Sequence, residues 1–115
     1  MEIGVGDIVF CQFPMEEGGS LPHFCIVIEV EETITGSRVH VAFGSSKSVS
    51  ESGHLNWELV VTKEVDIRDC GVHLPTRFDL NKTAWKPIEA CCKKGSIPKR
   101  LYGAFRSAAI HAGLI

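Results

Sequence analysis

The chain lacks any long apolar run, and no segment approaches the roughly 18 apolar residues that a membrane-spanning helix requires. Its first ten residues, MEIGVGDIVF, carry no basic residue ahead of the apolar ones, so they do not read as a secretory leader. Neither secretion nor membrane insertion is expected, and a cytoplasmic location is. A disulfide framework is also lacking. The five cysteines, Cys11, Cys25, Cys70, Cys91 and Cys92, are odd in number and two are adjacent, which fits a reducing compartment. Cys11 and Cys25 sit inside apolar, strand-like runs and read as small core residues. Cations are scarce at one end and carboxylates at the other. Residues 1–60 hold only Arg38 and Lys47 as cations, whereas from Lys82 onward Glu89 is the sole carboxylate. A net charge of −2 argues against a strong non-specific nucleic-acid binder. The asymmetry leaves room for a local basic surface able to hold phosphates or an acidic partner, or simply for a solvated helix face. No repeat, low-complexity tract or linker interrupts the chain, so one domain over 1–115 is expected, and at this size it needs no metal or disulfide to fold.

What is present reads mainly as β-structure. Asp7–Phe13 (DIVFCQF) is apolar on both faces, as a buried strand requires. A Gly/Pro-punctuated loop follows over Pro14–Pro22, then a second strand over Phe24–Glu32. A turn is expected at Gly36-Ser37, and Arg38–Phe43 alternates as a third strand. Gly44–Gly53 is a polar Ser/Gly loop, and Trp57–Val61 resumes a strand. Thr62–Asp69 stays open: Thr62 suits a helix cap, yet Val65 and Ile67 stand at strand spacing. Arg77–Leu80 and Thr83–Trp85 look like strand pieces. At the end, Ser96 as N-cap and Pro98 in the first turn predict an amphipathic helix with Leu101, Phe105, Ala108, Ala109 and Ala112 on one face and a stop at Gly113. Short strands followed by one C-terminal helix imply a small, strongly bent sheet or barrel with a helix packed on it.

The chemistry-bearing residues gather around PTRFDLNKT, Pro75–Thr83. In an extended backbone Arg77 and Asp79 leave the same face. They form either a surface ion pair, worth about 0–1 kcal/mol, or a site for a phosphate and a proton. Cleavage of RNA through the ribose 2′-OH needs a base, a cation for the charge building on phosphorus oxygens, and an acid for the leaving 5′-oxygen. Arginine's fork suits the phosphate and aspartate can take or orient the proton. Gly44-Ser45-Ser46-Lys47 at a strand end can offer N–H groups and hydroxyls to an anion, but it lacks the spacing of a nucleotide-triphosphate loop. His23, where loop meets strand, is a candidate general acid or an ordinary loop histidine. Cys70-x2-His73 with Cys91 and Cys92 has only half the spacing of a zinc site, so no metal is expected. Trp57 and Trp85 either stack on bases or fill the core.

The order of these segments resembles the MazF/PemK/Kid toxins of bacterial type II toxin–antitoxin systems. GDIVFCQFP, FCIVIEV, AFGSS (Ala42–Ser46), GVHLPTRFDL (Gly71–Leu80) and the terminal helix cover almost the whole chain, and PTRFDL is the most specific part. The resemblance implies an SH3-like small β-barrel with a C-terminal helix. It implies a metal- and cofactor-independent endoribonuclease that cuts single-stranded RNA, leaves 2′,3′-cyclic phosphate and 5′-hydroxyl ends, forms a homodimer and is neutralised by an antitoxin protein. Arg77 and Asp79 match the family's catalytic Arg-x-Asp. Ser45, with Ser46 as the alternative, matches its phosphate-contacting Ser/Thr, with Lys47 beside them. Where that family usually has Arg-Pro at the start of the second strand, this chain has His23-Phe24. That departure supports a second reading, a catalytically silent SH3-like module that binds a protein or peptide. A zinc-stabilised binding domain is a third.

Overall fold

The structure is a computed structural model and describes residues 2–47, 49 and 55–115. Six strands form one antiparallel sheet in the order β4-β5-β3-β2-β1-β6. Strand β1 spans Asp7–Pro14, β2 Ser20–Thr33, β3 Gly36–Ser45 and β4 Glu58–Val61. Helix α1 (Glu64–Cys70) precedes β5 (Thr76–Pro87), and β6 (Cys92–Ser96) precedes α2 (Tyr102–His111).

Both faces of the sheet are apolar at its centre, because adjacent residues of β1 feed different cores. Ile8 joins Ile26, Ala42, Phe78 and Leu80 on the face that α2 covers with Ala108 and Ala109. Val9, Cys11 and Phe13 join Cys25, Val27, Val39 and Val41 in a second cluster. The first cluster also holds Leu59 and Val61 of β4 together with Ile97, which follows β6. Residues from both ends of the strand order therefore share one core, so the sheet curls strongly. No ladder joins β4 to β6 among the described residues.

Several boundaries differ from those read in the sequence. The first loop is shorter than Pro14–Pro22, because β2 already pairs with β1 at Pro14↔Ser20, and Gly18 and Gly19 take positive φ to make the turn. Pro22 is tolerated because β3 joins β2 only from Cys25 onward, leaving one edge of β2 open there. The next hairpin turns two residues earlier than expected, at Ile34-Thr35. Gly36 pairs with Thr33 and Ser37 with Glu32, so both belong to strand β3. The open segment Thr62–Asp69 is mostly α1, with Lys63 at the cap position. Its buried residues are Asp66 and Cys70, four apart, and Asp66 is held by the Arg100 guanidinium. An inward-facing carboxylate hides the apolar periodicity that would have marked a helix.

Strand β6 was not anticipated. Ser96 is its last residue and not a helix cap; its hydroxyl donates to Asp7 at 2.6 Å while Ile97 N–H donates to the Gly6 carbonyl at 2.9 Å. Burial alone would raise the Asp7 pKa, but hydrogen bonds from Ser96 and the Gly4 N–H, with Lys93 at 3.2 Å, outweigh it and leave the pKa lowered. A 3-10 turn over Lys99–Leu101 leads into α2. The expected helix face packs on the core through Leu101, Phe105, Ala108, Ala109 and Ala112, and Gly113 at φ 77° ends it. No helix of the described residues is long and apolar enough to cross a membrane.

Candidate active site

Arg77-x-Asp79 lies on β5 between β3 and β4. Thr76, Phe78 and Leu80 turn inward and are buried, which directs Arg77 and Asp79 to the opposite face. Arg77 stands directly across from Ser45 on one side and Val60 on the other; Asp79 stands across from Phe43 and Glu58. Pairing then jumps from Phe43↔Asp79 to Ala42↔Thr83, so Leu80–Lys82 bulge from the ladder. The two predicted strand pieces are thus one strand with a bulge. Bulges of this kind re-aim side chains, and here an Asn81 N–H donates to Asp79 Oδ1 at 2.9 Å and fixes that carboxylate.

Arg77 and Asp79 do not pair with each other within 4.0 Å among the described residues. Arg77 Nη1 donates to Glu58 Oε2 at 2.6 Å, and its Nε donates to the Lys47 carbonyl at 2.8 Å. The Glu58 side chain is only 2% exposed and Arg77 is 29% exposed. Glu58 Oε1 also accepts the Leu55 N–H at 2.9 Å. The guanidinium is therefore held on two sides, with Nη2 making no hydrogen bond to a described residue. Glu58 was not singled out in the sequence, where it is one acidic residue in a short strand. Only its register opposite Asp79 brings it to the site.

Ser45 ends β3 and its hydroxyl accepts the Lys47 N–H at 3.1 Å, a tight local turn at the strand end. Ser46 is exposed and lines a pocket beside the site. Lys47 meets Arg77 through its carbonyl rather than its charge. Of the predicted polar loop, residues 48 and 50–53 lie outside the described residues. His23 reaches the same face from β2. Its ring lies 4.5 Å from that of Phe43, and Lys82 Nζ sits 4.4 Å from the Phe43 ring. Burial lowers the His23 pKa, a hydrogen bond with the Gly44 backbone opposes this, and Lys82 and Lys47 reinforce it. The imidazole is thus biased toward its neutral form. Phe43 and Lys82 are further residues of this face that the sequence did not mark.

Gly44 makes the approach of β2 and β3 possible. A Cβ there would lie 2.3 Å from the Phe24 carbonyl oxygen and 2.8 Å from Phe78 Cε1. The absence of a side chain at Gly44 is therefore what permits this close packing.

Other sequence candidates fall elsewhere. Cys70 and Cys91 belong to different core clusters, and no group of three or more potential metal ligands converges among the described residues. Trp85 is already covered: His40 stacks on it at 4.6 Å and 7°, and Arg38 lies 4.2 Å from its ring. Part of the C-terminal basic charge is engaged locally, with Lys82 4.0 Å from Glu16, Lys93 on Asp7 and Arg100 on Asp66 and Asp69. Lys47 and Lys82 also act on His23.

Neither a family model nor a curated protein matches the chain. Solved structures do. The toxin MazF-mt6 of Mycobacterium tuberculosis superposes with a TM-score of 0.66 at 15% identity, covering 93% of this chain and 95% of that one. An endoribonuclease in complex with its cognate antitoxin, from a mycobacterial species, superposes with a TM-score of 0.66 at 9% identity, covering 99% and 98%. The chain has a MazF-like fold. The SH3-like scaffold expected from the segment order is thus the one observed. The MazF-like sheet places Ser45 directly across from Arg77, with Asp79 two residues further along β5 on the same face.

Proposed function

We propose that this chain is a metal-independent endoribonuclease that cuts single-stranded RNA through its 2′-OH and is held in check by an antitoxin protein. The observation that carries this reading is the register Ser45↔Arg77 with Asp79 on the same face, bordered by Phe43, His23 and Lys82. Asp79 takes or orients the 2′-OH proton. Arg77 stabilises charge on the phosphorus oxygens through the edge that Glu58 leaves free, and Glu58 holds that edge in place. Ser45 positions the phosphate, with Ser46 next to it. His23 is the candidate acid for the leaving 5′-oxygen. Because it is biased neutral, only its protonated fraction serves, and cutting should fall as pH rises. Unpaired bases lie against the aromatic and basic surface alongside. A cytoplasmic homodimer is part of the same reading.

The second reading is a silent MazF-like module that binds a protein or peptide. It is favoured by the Arg77–Glu58 pair at 2.6 Å, which engages the guanidinium structurally, and by His23 standing where the toxins usually carry arginine. One experiment separates the two. Purified protein is incubated with a long single-stranded RNA in excess chelator beside Asp79→Asn and Arg77→Lys variants. Discrete cuts with cyclic-phosphate ends that weaken in both variants support the enzyme. No cutting by folded wild-type protein across several RNAs selects the silent module.

A further inference from the structure

Arg77 alone does not balance the charge of the candidate catalytic face. Its guanidinium is paired with the buried Glu58 at 2.6 Å, and Asp79 adds a second carboxylate opposite Glu58. Together the three side chains are net negative, which opposes an approaching phosphate unless a further cation stands by. Lys82 is placed to be that cation. It ends the bulge Leu80–Lys82 that follows Asp79. The bulge is pinned: Leu80 is buried and its N–H donates to the Trp57 carbonyl at 3.2 Å, while the Asn81 N–H donates to Asp79 Oδ1 at 2.9 Å. Lys82 then reaches back over the site, with Nζ 4.4 Å from the ring of Phe43, the register partner of Asp79. Phe43 packs with the second core cluster, on the side to which Ser45, Arg77 and Asp79 turn, and its ring lies 4.5 Å from that of His23. One irregularity of β5 thus sets a carboxylate and an ammonium on the same face.

The ammonium is held there loosely. Its carboxylate neighbour among the described residues is Glu16, at 4.0 Å, in the turn between β1 and β2. Glu16 is 87% exposed and Lys82 31% exposed. A pair so open and so long is worth little, because water competes for both charges. Lys93, by contrast, sits 3.2 Å from the buried Asp7. The Phe43 ring keeps the ammonium over the face by cation–π attraction, while Glu16 can be exchanged for another anion at small cost. A lysine suits such an exchange, since its point charge on a flexible stem follows a phosphate without fixing its orientation.

We infer that Lys82 is a second phosphate-binding cation of the catalytic face, that it takes an RNA phosphate beside Asp79 in exchange for Glu16, and that the β1–β2 turn thereby screens the site until a strand arrives. The inference rests on the ribonuclease reading for the identity of the anion. Arg77, fixed by Glu58, supplies the oriented donors; Lys82 supplies the charge that Glu58 and Asp79 offset. The lysine that acts on His23 is on this face for the phosphate.

The test uses RNA single strands with 2′-fluoro ribose, which lack the nucleophile. Binding is followed by fluorescence anisotropy across a salt series for wild type, Lys82→Gln, Lys82→Arg, Glu16→Gln and the double variant of Lys82→Gln with Glu16→Gln. Cutting of ordinary RNA is measured in parallel, and urea midpoints check folding. Lys82→Gln should lower the slope of log affinity against log salt by about 0.7, the value for one single-strand phosphate contact, and Lys82→Arg should restore it. Glu16→Gln should tighten binding, and its gain should be at least about two-fold larger with Lys82 present than in the double variant. Glu16 is exposed, so Glu16→Gln keeps the test open should Lys82→Gln fail to fold: affinity unchanged by it overturns the exchange. A wild-type slope in Lys82→Gln, or equal gains from Glu16→Gln in both backgrounds, overturns the inference even if the protein cuts RNA. A Lys82-dependent slope without any cutting keeps the inference and sinks the ribonuclease reading. No binding by folded wild-type protein overturns both.

Discussion

Replacing Arg77 with alanine should damage the fold before it informs on chemistry. The guanidinium is the ionic partner of Glu58, whose side chain is 2% exposed and, among the described residues, makes one other hydrogen bond, from the Leu55 N–H. Breaking a buried pair from one side costs about 3–5 kcal/mol because the remaining charge is uncompensated. Arg77 is itself 29% exposed, so water can enter the vacated space, and the lower end, about 3 kcal/mol, is expected. With a urea slope of roughly 2 kcal/mol per molar, the midpoint should fall by about 1.5 M. Adding Glu58→Gln removes the orphaned charge and should restore more than half of the loss, giving a coupling of about 2 kcal/mol in the double-mutant cycle. Arg77→Lys keeps the charge but loses the fork, and should cost less than the alanine. The assay is urea unfolding of the four cycle members at one pH and salt. Losses that add to within about 0.5 kcal/mol would show that Glu58 does not depend on Arg77, and would refute the reasoning. The practical consequence is that activity lost in Arg77→Ala is interpretable only beside the double variant.

Asp79→Asn should lower the cutting rate by about 10²–10⁴, the usual contribution of a positioned base, with stability within about 1 kcal/mol, since asparagine can accept the same Asn81 N–H. A variant that cuts at the wild-type rate removes Asp79 from the chemistry. Gly44→Ala should lose about 1–3 kcal/mol or more in urea unfolding, because the new methyl meets the Phe24 carbonyl and the Phe78 ring; an unchanged midpoint would contradict the packing described. His23 and His40 are both held below the usual histidine pKa, chiefly by burial. The folded state therefore binds fewer protons than the unfolded chain just below about pH 6.5. Stability should fall as pH drops from 7.5 through that window. His23→Gln should flatten the fall, and an equal slope in wild type and variant would remove His23 from the account.

The strands that frame the site were legible because their residues satisfy two cores at once: DIVFCQF and FCIVIEV are apolar on both faces, and both are central. The outward placement of Arg77 and Asp79 followed from strand alternation alone. What stayed hidden depends on partners distant in the chain. Strand β6, CKKGS, is polar and short, and exists because Asp7 takes the Ser96 hydroxyl and Gly6 the Ile97 N–H. Helix α1 turns a carboxylate inward that Arg100, 34 residues later, neutralises. Glu58 carries no local mark of its buried pair with Arg77, 19 residues away. His73 read as half of a metal motif because its sequence neighbour is Cys70, whereas its spatial neighbour is Phe24.

The central claim is that the 2′-OH of RNA is the nucleophile at the Arg77/Asp79 face. The most direct measurement replaces one ribose, at a mapped cut, with 2′-deoxyribose and compares single-turnover cutting and binding with the all-ribose strand. The account predicts that the substituted strand still binds and is not cut at that bond, while other sites in the same molecule are cut as before. Cutting at the deoxy position at the original rate would contradict it, because the phosphodiester would then be opened by a nucleophile from outside the strand.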